Sequence, residues 1–73
     1  MEEKTLGEIR VRIDFNASGN STVNDIKRNS AQMIDLLKHL QTDGGQSEKN
    51  RLIAIAQTKY EEAAMWAVKA ATA

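Results

Sequence analysis

The chain has 73 residues, ten basic and ten acidic side chains, no cysteine and a single histidine, His39. That length supports one domain, with a core close to the lower limit for independent folding. The absence of cysteine excludes disulfides and thiolate metal sites, and one histidine does not make a metal site by itself. Association with copies of itself is then the expected source of added stability.

Charge is spread evenly. Residues 1–20 carry three positive and four negative charges, residues 21–50 four of each, and residues 51–73 three positive and two negative. A nucleic-acid binder shows a basic excess on some segment; none is present, which argues against nucleic acid as the partner. No apolar run reaches the ~18 residues of a membrane span. The opening Met1-Glu2-Glu3-Lys4 is acidic and unlike a signal peptide, so a cytoplasmic protein is expected.

Residues 9–15 read Ile9-Arg10-Val11-Arg12-Ile13-Asp14-Phe15. Strict alternation of apolar and charged residues predicts a half-buried β-strand with Ile9, Val11, Ile13 and Phe15 inward. Asn16-Ala17-Ser18-Gly19-Asn20 follows as a turn. Ser21-Thr22 opens a helix, with Thr22 and Asp25 at the spacing of a capping box. Its apolar stripe is Val23, Ile26, Ser30, Met33, Leu37 and Leu40, widened by Ile34 and Leu36. Asn24, Asp25, Arg28, Gln32, Asp35 and His39 face away. Asp43-Gly44-Gly45 ends it.

Ser47 caps a second helix, which is apolar on two sides. Leu52, Ile53, Ala56, Tyr60, Ala63, Ala64, Ala67 and Ala71 fill one; Ile55 and Trp66, with Met65 nearby, lie on the other. Arg51, Thr58, Glu62 and Lys69 form a narrow polar line between them. A helix apolar on two sides must be buried on two sides, and a lone strand must pair with another. Both demands point to self-association. The expected fold is mainly α (α+β) in a single domain, 1–73. It has a tail over 1–8, one N-terminal β-strand over 9–15 and an antiparallel helical hairpin over 21–42 and 47–71. The strand and the long helix are expected to be buried in an oligomer.

Ile13-Asp14-Phe15-Asn16-x-Ser18-Gly19-Asn20, Val23-x-x-Ile26-Lys27, Ala31-x-x-Ile34-Asp35 and the block Ala56-Gln57-Thr58-x-Tyr60-Glu61-x-Ala63-x-Met65-Trp66-Ala67-Val68-Lys69-Ala70 carry a resemblance. Together they resemble the phage anti-defence nucleotide sponges that counter CBASS and Thoeris immunity. The segment from Thr58 to Lys69 is the most specific, and the strand segment resembles the Thoeris-countering branch. The resemblance implies a homo-oligomer, dimer or hexamer, in the host cytoplasm. It would sequester a cyclic dinucleotide, cyclic trinucleotide or cyclic ADP-ribose isomer without cleaving it. It implies Lys27 as a ligand contact and Lys69 as a contact to cyclic trinucleotides at a second site.

Each candidate has a plainer alternative. Lys27 beside a helix N-terminus suits a phosphate, or it snorkels along the core edge. The line Arg51, Thr58, Glu62, Lys69 is an axial polar channel, or a solvated face with ion pairs between chains. Trp66 stacks on a base or, more in keeping with its apolar flanks, fills an interface. Arg10, Arg12 and Asp14 contact a ligand or face water. Phe15 and Asn16 lie near a pocket mouth, Asn20 is a turn residue, and His39 is exposed. The candidate ligand-binding set is Arg10, Phe15, Asn16, Lys27, Lys69 and Thr72. No catalytic constellation is present, and no cofactor or metal is expected. The competing reading is a ribbon–helix–helix DNA-binding dimer reading bases through Arg10, Arg12 and Asp14.

Overall fold

The computed structural model describes residues 3–16, 19–41 and 47–73. Three helices follow in order: α1 over Leu6–Val11, α2 over Ser21–Lys38 and α3 over Ser47–Ala71. Among the described residues there is no strand.

The alternating segment is therefore helix and turn, which corrects the expected strand and removes the ribbon that the DNA-binding alternative needs. Helix α1 begins inside the expected tail. Thr5 caps it, accepting from the Glu8 amide at 3.1 Å, while the Glu8 carboxylate accepts from the Thr5 amide at 2.8 Å. This reciprocal pair is a capping box. Helical winding separates side chains that a strand would align. Val11 is buried and Ile13 packs against the core, whereas Ile9 and Phe15 are 59% and 69% exposed.

A six-residue helix is not stable in isolation, so α1 depends on docking. Gly7 permits a close approach: a Cβ there would lie 2.1 Å from the carbonyl oxygen of Ala31 in α2. The Gly7 amide donates to Asp35 Oδ1 at 2.7 Å. Asp35, expected to face water, thus serves the N-terminus of α1, where a carboxylate is favoured.

Helix α2 opens at Ser21, as expected, but its cap is Asn20 and not Thr22. Asn20 Oδ1 accepts from the amides of Thr22 and Val23 at 2.8 and 3.2 Å. The line it buries is Val23, Lys27, Ala31 and Ile34, a stripe rotated from the expected one. Leu36 and Leu40 are exposed. The helix ends at Lys38, short of the expected residue 42; His39 forms its C-cap and is exposed. The expected stop at Asp43-Gly44-Gly45 and the side chain of Ser47 lie outside the described residues.

Helix α3 returns antiparallel to α2. Gln57 Nε2 donates to the Ile34 carbonyl at 3.1 Å across the middle, and Asn20 reaches the Ala71 carbonyl at 3.5 Å at the far end. Gln57 is buried, as are Ile53 and Ala64. Leu52, Tyr60 and Ala63, expected within the same broad buried side, are exposed. The Cα envelope measures 44 × 30 × 12 Å. Several large apolar side chains, among them Leu52, Ile55, Met65 and Trp66, stay exposed on one chain.

Candidate functional site

The C-terminus of α1 is built by backbone geometry that is unusual for its sequence. Arg12 adopts the left-handed conformation, φ 56 and ψ 61. Its amide donates to the Ile9 carbonyl at 3.1 Å, and the Ile13 amide donates to the Glu8 carbonyl at 3.0 Å. These two bonds are the Schellman pattern, a position where glycine is usual because a Cβ costs energy there. The Phe15 amide then donates back to the Arg12 carbonyl at 2.9 Å, closing a turn.

Lys27 lies beneath this turn and is only 6% exposed. Its ammonium donates to the Arg12 carbonyl at 2.9 Å and to the Phe15 carbonyl, and lies 5.4 Å from the Phe15 ring centroid. Two of three ammonium donors are thereby occupied by backbone. Burial, and secondarily the charge of Arg12, push the Lys27 pKa down from its ordinary value.

The turn forms one wall of a cleft of about 390 Å³ against the C-terminal half of α3. Arg10, Arg12, Phe15 and Lys27 line one side. Glu61, Ala64, Met65 and Val68 of α3 line the other, with Val11 at the floor. Arg10 spans the two elements: its Nε donates to Glu61 Oε1 at 2.6 Å and a terminal nitrogen to Thr58 Oγ1 at 3.3 Å. The cleft thus holds three cations, one carboxylate, an exposed aromatic face and an apolar floor, a combination suited to a phosphate carrying a flat base.

Of the expected site residues, Arg10, Phe15 and Lys27 meet here. Asn16 does not line the cleft. Its amide donates to the Asn20 carbonyl at 2.7 Å and to Asn24 Oδ1 at 2.9 Å, and its oxygen accepts from the Asn20 amide at 3.2 Å. Lys69 and Thr72 sit together at the end of α3. Lys69 Nζ lies 5.2 Å from the exposed Trp66 ring, and the Thr72 hydroxyl donates to the Val68 carbonyl at 2.9 Å. The expected polar line divides into local pairs along α3. Arg51 binds Glu48 at 2.8 Å, holding the carboxylate pKa down and the guanidinium pKa up, and Glu62 faces Lys59 at 3.8 Å. Glu61 and Met65 of the cleft were not among the candidates, and Arg12 was weighed as a contact but stood outside the ligand-binding set; Thr5-x-x-Glu8, the capping-box signature, was the signal that could have placed α1 and with it Arg12.

The described residues hold no group of side chains that would bind a metal, and no helix is long and apolar enough to cross a membrane. A short docked helix, a hairpin and a cationic cleft define a small helical binding module. The chain belongs to the Acb2/Tad1 hairpin-domain family, whose model matches residues 6–72. This is the family of anti-CBASS and anti-Thoeris sponges, binding proteins that sequester cyclic nucleotide immune signals and are not enzymes. Comparison with curated proteins and with solved structures returned no match.

Proposed function

We propose that this chain is a sponge in its own right: it binds a cyclic oligonucleotide or a cyclic ADP-ribose isomer in the cleft and withholds it, intact, from the host defence system. The observation that carries the reading is the cleft itself, where Arg10, Arg12 and Lys27 surround the exposed ring of Phe15. Sequestration needs affinity and stoichiometry, not a nucleophile or a general base. The protein acts in the host cytoplasm, where such signals are made.

The working form is an oligomer, a dimer or hexamer. Its support is the apolar surface of one chain: Met65 and Trp66 of α3 are 63% and 59% exposed, with Leu52 and Ile55 also uncovered. Exposed apolar residues of this kind are buried by stacking on further copies of the chain. Lys69, at the end of α3, contacts cyclic trinucleotides at a second site, as the family resemblance implies, and Thr72, whose hydroxyl lies 3.4 Å from the Lys69 carbonyl, is a candidate contact beside it.

Equilibrium dialysis of the purified chain against cyclic dinucleotides, cyclic trinucleotides and cyclic ADP-ribose isomers tests the reading. Retention of one ligand at a fixed ratio to protein supports it. Free passage of all of them overturns it. Light scattering on the same sample tests the oligomer, and a monomer at micromolar concentration contradicts that part.

A further inference from the structure

We propose that Arg12 is the cation that meets the ligand's phosphate, and that Lys27 is chiefly its positioning residue, acting through the backbone of the turn. The inference rests on the sponge reading and assigns roles within that cleft.

Four observations carry it. First, Arg12 holds a left-handed backbone at a helix C-terminus, where glycine would be free of strain. Strain of this kind concentrates where a side chain is needed in one place. Second, the Arg12 guanidinium is exposed, lines the cleft and takes no hydrogen bond or ion pair among the described residues. Arg10, by contrast, is engaged with Glu61 and Thr58. Third, Lys27 is buried and directs its ammonium at the carbonyls of Arg12 and Phe15. It therefore fixes the two residues whose side chains form the cationic and aromatic parts of the wall. Fourth, a guanidinium presents a planar fork of donors that matches two phosphate oxygens, which a lysine with two donors already occupied does not.

The consequence is coupling. If Lys27 acts through Arg12 and Phe15, removing it misplaces both, and removing Arg12 as well adds little. If both cations bind the ligand independently, their losses multiply.

The experiment has two arms. In the first, affinities of wild type, Arg12→Gln, Lys27→Met and the double variant are measured by calorimetry for the member of the cyclic-nucleotide panel that the wild type retains. Each single variant is expected to weaken binding by roughly tenfold to a hundredfold, the range for one hydrogen bond to a charged group. The double variant is expected to be no weaker than the poorer single. Wild-type affinity in Arg12→Gln, or losses that multiply, overturns the proposal.

The second arm needs no cyclic nucleotide. Amide exchange of Ile13 and Phe15, whose bonds close the turn, is expected to rise at least about tenfold in Lys27→Met while that of Ala31 stays unchanged. Unchanged exchange at the turn removes the positioning role. Pyrophosphate titrated into nitrogen-15-labelled wild type is expected to shift the Arg12 Nε–H signal; no shift counts against the phosphate contact. A pyrophosphate shift with no cyclic nucleotide retained would sink the sponge reading and leave the anion contact standing.

Discussion

The Lys27 ammonium lies 2.9 Å from the carbonyl oxygen of Arg12, a residue fifteen positions earlier in the chain and held in a left-handed conformation. One buried side chain of α2 thereby fastens the end of α1 and sets the wall of the cleft.

Arg12→Gly relieves the Cβ strain of the left-handed position. The expected result is a chain as stable as wild type or more stable by about 1 kcal/mol, with weakened ligand binding. Urea unfolding and calorimetry measure the two halves. A fall in the urea midpoint would show that the arginine side chain, not its backbone, supports the turn.

Gly7→Ala is expected to destabilise, although alanine is the better helix former. The added Cβ meets the Ala31 carbonyl at 2.1 Å, and neither backbone gives way cheaply. A loss of about 1–3 kcal/mol is expected, a fall of roughly 4–8 °C in melting temperature per kcal/mol. Scanning calorimetry checks it; an unchanged melting temperature would mean that α1 is not seated on α2 at Gly7.

Lys27 should titrate below its ordinary value of 10.5, while Lys4, hydrogen-bonded to Asp14, should titrate above it. For Lys27 the unfolded chain holds the proton at pH values where the folded chain has begun to release it. Stability contributed through Lys27 therefore rises with pH between its lowered folded value and 10.5. The wild type's stability relative to Lys27→Met should rise across that window. Side-chain nitrogen NMR of the lysines gives the order of titration directly, and Lys27 titrating after Lys4 would contradict it.

Glu61→Gln keeps an acceptor for Arg10 and removes the only carboxylate that lines the cleft among the described residues. The Arg10–Glu61 pair is partly exposed, so the expected stability loss is at most about 1 kcal/mol. Affinity for an anionic ligand should rise, and more so at low salt. A drop in affinity without a drop in stability would show instead that Glu61 accepts a hydrogen bond from the ligand.

The hairpin was legible because α2 and α3 announce themselves by length and helical periodicity, and the antiparallel return follows from a short connection. The alternation of Ile9-Arg10-Val11-Arg12-Ile13 does not become a strand because the Thr5–Glu8 cap and the close seat of Gly7 on α2 start a helix there instead. What holds α1 is tertiary: the Ala31 carbonyl, Asp35, Lys27 and Glu61, none near it in sequence. The same cause shifted the buried stripe of α2, since Lys27 is inside only because the turn offers it two carbonyls. Arg10, Phe15 and Lys27 were identified as candidates by residue type and resemblance. Arg12's position depends on a left-handed backbone that no composition or period encodes.

Calorimetric titration of the wild-type chain with the cyclic-nucleotide panel, followed by chromatography of the recovered ligand, tests the central claim most directly. Saturable binding of one cyclic nucleotide, returned chemically intact, is the predicted result. Absence of heat with every member, or recovery of a cleaved product, would contradict it.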